Sequence, residues 1–177
     1  MEIKRLVNGA LNENCYILIK KNNCLIVDPG SDFDALKKEI DTLNVVGILV
    51  THYHDDHVHI LDMVKKYYNA KVYDYKYKGL VNINDFNFEV IETKGHTNEA
   101  CTFYFKEESV MFTGDFLFKE SIGRCDLEGG NISLMKESIL KIKTYDKNIT
   151  IYPGHYEKST LGYEFVNNPF FNGGFYE

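Results

Sequence analysis

The stretch Thr51-His52-Tyr53-His54-Asp55-Asp56-His57 gathers three imidazoles and two carboxylates within seven residues. It directly follows the apolar run Val45 to Val50, which predicts a buried strand, so this chemistry lies at the C-terminal end of a strand. Ile60, Leu61, Val64 and Tyr68 then predict an amphipathic helix. Polar groups crowded in this way are costly to bury unless a compensating charge accompanies them.

A divalent metal supplies that charge, and nitrogen with carboxylate ligands suits zinc, iron or manganese rather than calcium or magnesium. In an extended segment His52, His54 and Asp56 point to one side, and His57 opens the following helix and turns inward. Adjacent Asp56 and His57 cannot both join His52 and His54 around one tetrahedral ion without backbone strain. Two ions are therefore the simpler hypothesis. Asp55 is expected to cap the helix.

Further ligands must come from elsewhere in the chain. His96 and His155 each follow a glycine, and Asp115 does so in Thr113-Gly114-Asp115, where glycine lets backbone approach closely. Any one of the three alone is more often a turn residue, but together they complete two sites, with Asp115 able to bridge. His59 points about 200° away from His57 on a helix and is expected on a solvated surface.

Outside these motifs, strand-like and helix-like runs alternate along the chain. Strands are predicted at 14–20, 24–27, 45–50, 71–75, 86–92, 101–105, 110–112 and 150–152, and helices by the apolar stripes that start at Phe33, Ile60 and Ile132. Asp32 is a plausible cap for the first helix. Two facing sheets with helices outside would bury all these stripes, so the expectation is an α+β fold in one domain, 1–177.

Composition excludes several classes of protein. The 177 residues carry 20 Lys and Arg against 26 Asp and Glu, a net charge of −6, which is the wrong sign for binding nucleic acid. No apolar run approaches the ~18 residues of a membrane span, and the first residues lack a signal peptide's apolar core, so a cytoplasmic protein is expected. The four cysteines form no C-x-x-C pair, which favours reduced thiols.

These motifs, in this order, resemble the metallo-β-lactamase superfamily, and within it hydrolases similar to glyoxalase II (hydroxyacylglutathione hydrolase). The likeness rests on Asn14-Cys15-Tyr16, Val27-Asp28-Pro29-Gly30, the Thr51 to His57 string, Gly95-His96-Thr97, Phe112-Thr113-Gly114-Asp115, Ile122 to Leu127, Tyr152-Pro153-Gly154-His155 and Asn168-Pro169-Phe170. It departs at Val58-His59-Ile60, where the family often has Gly-Gly, and at Lys94, where Pro is usual.

The resemblance implies a four-layer αββα sandwich with two mixed sheets and a binuclear metal site between the sheet edges. It implies that His52, His54 and His96 hold the first metal, that Asp56, His57 and His155 hold the second, and that Asp115 bridges them. Zinc is the expected metal, with iron or manganese as alternatives. Asp56 and Asp115 are then the carboxylates at the catalytic centre. The short chain has no counterpart of the family's C-terminal glutathione-binding helical domain, so glutathione specificity is not expected to be inherited.

The resulting hypothesis is a metal-dependent hydrolase in which a metal-bridging hydroxide attacks a thioester such as S-lactoylglutathione or a related acyl-thiol. A thiolate leaving group, with a parent pKa of ~8.5, needs little help from an acid. Arg124 could meet a substrate carboxylate, or equally form a surface salt bridge. Asp28 could orient a ligand, or equally only form a turn.

Two alternatives remain at this point. Persulfide dioxygenases look like this family but use one iron held by two His and one Asp, and they have Pro-Ala-His where this chain has Pro153-Gly154-His155. A non-enzymatic binding module would use metal only to stabilise its fold, although structural zinc sites typically have all four coordination positions filled by protein ligands. The aromatic C-terminus (Tyr163, Phe165, Phe170, Phe171, Phe175, Tyr176) is expected to pack on the sandwich, and an exposed part could line a cleft or a homo-oligomer contact.

Overall fold

The computed structural model describes residues 1–175. Its strands are β1 (Glu2–Asn8), β2 (Glu13–Lys20), β3 (Asn23–Val27), β4 (Asn44–Leu49), β5 (Val72–Tyr73), β6 (Gly79–Ile83), β7 (Phe86–Glu92), β8 (Cys101–Phe105), β9 (Val110–Gly114), β10 (Leu117–Phe118), β11 (Ser121–Ile122), β12 (Thr150–Pro153) and β13 (Ser159–Thr160). Its α-helices are α1 (Phe33–Ile40), α2 (Asp55–Val58), α3 (Leu61–Tyr68), α4 (Ile132–Ile142) and α5 (Leu161–Asn167), and 3₁₀ turns span Tyr75–Tyr77 and Pro169–Asn172.

Two mixed sheets form the centre of the molecule. One has the strand order β1-β2-β3-β4-β5 and the other β13-β12-β9-β8-β7-β6, while β10 and β11 form a separate hairpin. The pairs β3–β4, β4–β5 and β9–β12 are parallel. Parallel neighbours end at the same sheet edge, so the loops after β3 and β4 lie together in one sheet, and those after β9 and β12 lie together in the other.

Three apolar clusters separate the layers. The first lies between the sheets and includes Leu18, Phe88, Phe103 and Phe112. The second packs α1 and α3 on the β1–β5 sheet, and the third packs α4, α5 and the 3₁₀ turn at Pro169–Asn172 on the other sheet. Burying a side chain as large as Phe contributes about 1.5–3 kcal/mol. The αββα sandwich predicted from the sequence is confirmed.

The elements that carry a clear period lie where the sequence predicts them. The side chain of Asp32 caps α1 by accepting the Ala35 N–H at 2.9 Å, and α4 buries Met135, Ile139 and Ile142. Helix α2, however, begins at Asp55, with His54 as its N-cap residue and no side-chain capping bond. The prediction that Asp55 caps this helix is therefore wrong by one residue, and the prediction that His57 opens it is wrong by two.

Most of the C-terminal aromatic residues pack on the sandwich as expected, whereas Tyr163 is exposed and donates its hydroxyl proton to Glu120. Phe165 and Phe171 lie 5.5 Å apart between ring centroids, and Phe171 is buried in the third cluster. Tyr176 lies outside the described residues. Within residues 1–175 no helix has the length and apolar character needed to cross a bilayer, and the four cysteines are free thiols.

Candidate metal centre

Five loops deliver the polar residues to one place. The Thr51 to His57 string follows β4, Asp28 follows β3, Asp115 follows β9, His155 follows β12, and His96 stands between β7 and β8. The two sheets are also tied together here, since the backbone of Glu13 bridges to His155 and the Asn14 N–H donates to Gly154 O at 2.7 Å. The site therefore spans the junction of the two sheet edges.

Three histidines form the first group. His54 Nδ1 lies 2.9 Å from His96 Nε2, and His52, His54 and His96 each offer one nitrogen within 4.8 Å of the others. The Thr51 hydroxyl donates its proton to Asp28 Oδ2 at 2.6 Å, so it is an acceptor toward His52 Nδ1 at 3.1 Å. This leaves the Nε2 lone pair of His52 facing the centre, where that atom is buried and has no hydrogen-bond partner.

Asp56, His57 and His155 form the second group. His57 Nε2 lies 3.2 Å from His155 Nε2, and His155 Nε2 lies 3.2 Å from Asp56 Oδ2. Asp115 stands between the two groups, because its Oδ1 is 3.4 Å from His57 Nε2 and its Oδ2 is 3.6 Å from His96 Nε2. The seven residues singled out in the sequence are thus brought into one cluster; their role as metal ligands stays a prediction.

Acceptors behind the rings orient them. His57 Nδ1 lies 3.3 Å from Asp28 Oδ2, His96 Nδ1 lies 2.8 Å from Arg124 O, and His155 Nδ1 lies 3.2 Å from Leu11 O. Each acceptor places the ring proton on Nδ1, so Nε2 presents a lone pair to the centre. Asp28, weighed in the sequence as either a ligand-orienting residue or a turn residue, contacts His57 directly.

Neighbouring groups of the cluster shift each other's pKa values. Burial lowers the pKa of His57, but the carboxylates of Asp115 and Asp28 outweigh burial and raise it to about 10. Burial raises the pKa of Asp115, yet the adjacent His57 outweighs it and holds that pKa well below its usual range. Burial and the neighbouring His57 hold the pKa of His52 well below its ordinary value.

The geometry fits divalent metal ions. Zinc bonds to nitrogen and oxygen ligands are about 2.0–2.2 Å long, so the ligand atoms of a tetrahedral ion stand about 3.3 Å apart. Neighbouring ligand atoms within each group approach that spacing. Two buried polar atoms, His52 Nε2 and Asp115 Oδ1, also lack a hydrogen bond, although buried polar atoms are normally paired. A cation in each group would satisfy them.

Comparison with known families identifies the family of this chain. The family model described as Metallo-beta-lactamase superfamily matches residues 8–85 and 78–155. The chain belongs to the metallo-beta-lactamase superfamily. A hydroxyacylglutathione hydrolase of Francisella tularensis subsp. novicida (strain U112) is 32% identical to it over 170 residues, 88% of this chain and 68% of that protein.

Two solved structures of the superfamily cover almost the whole chain. The BLEG-1 B3 metallo-beta-lactamase is 29% identical, with a TM-score of 0.91 over 97% of this chain and 100% of that chain. TTHA1623 in a di-iron-bound form is 26% identical, with a TM-score of 0.87 over 94% of this chain and 99% of that chain.

The cluster can pack closely because residue 154 is a glycine and has no Cβ. A Cβ at Gly154 would collide with Asp115 Oδ1 and with His57 Cε1. Alanine at this position would therefore displace Asp115, His57 or the loop that carries His155. Glycine in Pro153-Gly154-His155 is thus a packing requirement of this arrangement.

A cleft of about 520 Å³ opens over the cluster. His54, Asp56, His96, Asp115 and His155 lie on its floor, and its walls are Leu11, Phe118, Ser121, Ile122, Gly123, Arg124, Leu127 and Tyr156. Sequence reasoning missed Leu11 and Tyr156 because single apolar residues in loops carry no periodic signal, and it missed Phe118 because strand β10 has only two residues. None of the C-terminal aromatic residues from Tyr163 to Phe175 is among the wall residues.

Arg124 and His59, also singled out in the sequence, lie outside the metal cluster. Arg124 is on the cleft wall, but its Nε and Nη2 donate to both carboxylate oxygens of Asp126, each at 2.7 Å. That guanidinium lowers the pKa of Asp126 to about 2. His59 is exposed as expected, but it lies in the turn between α2 and α3 rather than on a helix face, and its Nδ1 is 3.2 Å from Asp55 Oδ2.

Proposed function

We propose that this protein is a binuclear metal-dependent hydrolase that cleaves thioesters of small acyl-thiols, S-lactoylglutathione being the reference substrate. The observation that carries the proposal is the pair of three-residue groups joined by Asp115 on the floor of an open cleft. The reaction is RCO–SR′ + H₂O → RCOO⁻ + R′SH + H⁺. The proposal takes residues 1–177 as one catalytic domain.

His52, His54 and His96 would hold one ion, Asp56, His57 and His155 the other, and Asp115 stands where it would reach both. When bound, two divalent ions supply hydroxide at neutral pH and polarise a carbonyl group. Asp56 and Asp115 would carry the negative charge that keeps the ions in place, while Asp28 keeps the His57 ring aimed at the centre. Zinc is the expected metal, and the di-iron form of TTHA1623 supports iron as the alternative.

The lack of a spare acid favours a thioester over substrates with poorer leaving groups. In the described part of the cleft, the lining carboxylates are Asp56 and Asp115, both within the cluster, and the pKa of each is lowered. Neither is available to protonate a departing group near neutral pH. A thiolate, with a parent pKa of ~8.5, departs without such help, whereas an amine or alkoxide requires a proton.

The test is elemental analysis of freshly purified protein followed by a thioester panel. We expect about two metal ions per chain. Asp115→Ala should lose metal and lower kcat by more than the ~10- to 100-fold typical of losing an outer partner of a ligand. His59→Ala, a nearby exposed histidine, is the matched control and should change neither. The proposal fails if metal-loaded protein cleaves no thioester while Asp115→Ala retains its full metal content.

Two other reactions belong in the same panel. Similarity to a B3 metallo-beta-lactamase over nearly the whole chain favours β-lactam hydrolysis as a second candidate, and a chromogenic cephalosporin tests it. Oxygenation of a persulfide by a single iron is the alternative from the sequence. Two complete ligand groups argue against it, and oxygen uptake with glutathione persulfide by protein holding one iron per chain would establish it instead.

A further inference from the structure

The walls of the cleft differ chemically from its floor. Where the floor carries the candidate ligands, the rim presents Leu11, Leu127 and Tyr156, which are 65%, 41% and 69% exposed. Phe118 and Ile122 extend the same apolar surface deeper into the cleft. A group that lies along this wall would remove apolar surface from water, which favours an uncharged substrate portion.

The position of Tyr156 is enforced by the backbone. Its φ of 65° is in the left-handed region that non-glycine residues seldom occupy. The buried Asn14 holds it there, since Asn14 Nδ2 donates to Pro153 O and to Tyr156 O, both at 2.9 Å. The Tyr156 ring packs edge-on against Phe118, with 5.5 Å between centroids. These contacts give Tyr156 a fixed position at the cleft rim.

The charged residues at the rim also favour an uncharged substrate portion. Among the described residues that line the cleft, Arg124 is the one Lys or Arg side chain. Its guanidinium is already paired, because it donates two hydrogen bonds to the Asp126 carboxylate. A substrate carboxylate would have to displace Asp126, which exchanges one ion pair for another and leaves Asp126 as an adjacent like charge. Away from the ions that the floor would hold, the cleft walls therefore offer no net attraction for a carboxylate on the thiol portion, and the chain's charge of −6 opposes one.

From these observations, and resting on the proposed thioesterase function, we infer that the cleft selects acyl-thiols whose thiol portion is uncharged, and that Asp126 sets this selectivity by occupying Arg124. Asp126 is thus a specificity-determining residue, and Tyr156 supplies the apolar wall for the same portion. Thioesters of glutathione, which carry two carboxylates on the thiol portion, would then be poorer substrates than thioesters of neutral thiols.

The experiment uses two thioesters with the same acyl group, one of N-acetylcysteamine and one of N-acetylcysteine. They differ only in the carboxylate of the second. For the metal-loaded protein at low salt, we expect kcat/KM to be about fivefold or more in favour of the N-acetylcysteamine ester, a factor at the upper end of one exposed charge interaction. High salt should reduce the ratio because exposed charges are screened.

Two variants move the ratio in opposite directions. Asp126→Asn frees Arg124 to pair with the substrate carboxylate and should lower the ratio about two- to fivefold. Arg124→Ala leaves Asp126 unpaired and should raise it, while His96 keeps its acceptor because Arg124 O is a backbone atom. Asp85→Asn removes the same charge from the β6–β7 turn, outside the cleft lining, and should leave the ratio unchanged.

The outcomes distinguish failure of this inference from failure of the proposed function. Equal rates with both esters, a preference for the N-acetylcysteine ester, or a ratio that Asp126→Asn and Arg124→Ala shift in the same direction would overturn this inference and leave the thioesterase function standing. Hydrolysis of S-lactoylglutathione but of neither ester by metal-loaded protein would overturn this inference alone, whereas hydrolysis of no thioester at all would overturn the proposed function with it. Opposite shifts in the two variants support it, because a merely structural role of the pair would not produce them.

Discussion

At the scale of single residues, the carboxylate of Asp28 lies behind the candidate ligands and contacts groups of Thr51 and His57. It accepts the Thr51 N–H at 2.8 Å, accepts the Thr51 hydroxyl proton at 2.6 Å, and lies 3.3 Å from His57 Nδ1. Through Thr51 it also sets the orientation of His52. One buried residue thereby fixes a ring in each of the two ligand groups.

Asp28→Asn should weaken metal binding at both positions. Asparagine keeps one acceptor oxygen and replaces the other with an amide donor. An amide in place of Oδ2 removes the acceptor of both the Thr51 hydroxyl and His57 Nδ1, and one in place of Oδ1 removes the acceptor of the Thr51 N–H. A ring that loses the acceptor on Nδ1 no longer has its proton fixed there. Loss of such a partner typically costs about 10- to 100-fold in metal affinity. The affinity is measured by competition with a chromogenic chelator.

Asp74→Asn is the matched control for this substitution. Asp74 is also a buried aspartate and accepts a proton from the Tyr53 hydroxyl at 2.6 Å, but it contacts none of the candidate ligands. It should lower thermal stability without lowering metal affinity. If the two variants lose metal equally, the orienting role assigned to Asp28 is wrong.

At the scale of elements, helix α5 holds the hairpin that forms one wall of the cleft. Glu164 on α5 is fully buried, and its carboxylate accepts the Ser159 hydroxyl proton, the Glu120 N–H at 2.8 Å and an Asn168 amide proton at 2.9 Å. Asn168 also donates to Ser121 O at 3.1 Å. Glu120 and Ser121 belong to the β10–β11 hairpin, whose Phe118 and Ile122 line the cleft.

Glu164→Gln should loosen this wall. The amide offers one acceptor oxygen where the carboxylate offered two, so a buried donor is left unpaired at a cost of about 1–3 kcal/mol. For a chain of this length that corresponds to a fall in Tm of about 2–4 °C per kcal/mol. KM should rise more than kcat falls, because the wall moves while the metal cluster stays. Thermal denaturation and steady-state kinetics measure both effects.

Glu157→Gln provides the comparison, since Glu157 is an exposed carboxylate paired with Arg5. It should change Tm little, as exposed ion pairs contribute about 0–1 kcal/mol. A Glu164→Gln protein with normal Tm and altered metal content would contradict the assignment of Glu164 to the cleft wall.

The same elements show which parts of the fold could be predicted from the sequence. Helices α1 and α4 and strands β7 and β8 have several apolar residues at a clear period and were predicted with nearly correct bounds. Strand β1 was missed because its apolar residues, Ile3, Leu6 and Val7, break the alternation. Strands β10, β11 and β13 have two residues each, too few for any period, and the tertiary contacts of Glu164 and Asn168 maintain that region.

At the scale of the whole molecule, the cluster was predictable because its residues follow strand ends, and the fold brings those ends to one junction. The Gly-His and Gly-Asp pairs added a local signal, as the steric need for Gly154 shows. The cleft walls were not predictable in the same way. They combine the β1–β2 turn, the β10–β11 hairpin and the loop after β12, which meet only in three dimensions.

We also expect metal binding by the folded molecule to be coupled to proton release. Burial lowers the pKa of His57 but Asp115 and Asp28 raise it to about 10. In protein freed of metal by a chelator, this raised pKa contributes stability that is fully present below the unfolded value of about 6.5 and is lost as pH rises toward 10. A metal ion must displace the same proton, so its affinity should increase over that range.

We therefore expect the difference in Tm between metal-loaded and chelator-treated protein to widen from pH 6.5 to 9. At free metal about 100 times Kd, the stabilisation is about 2.7 kcal/mol, or roughly 5–11 °C at this chain length. Thermal scans of both forms across the pH range measure the difference, and calorimetric titration in two buffers of different ionisation enthalpy measures proton release. If the difference in Tm narrows as pH rises, or if metal binds without proton release near pH 7, then metal binding does not displace the His57 proton.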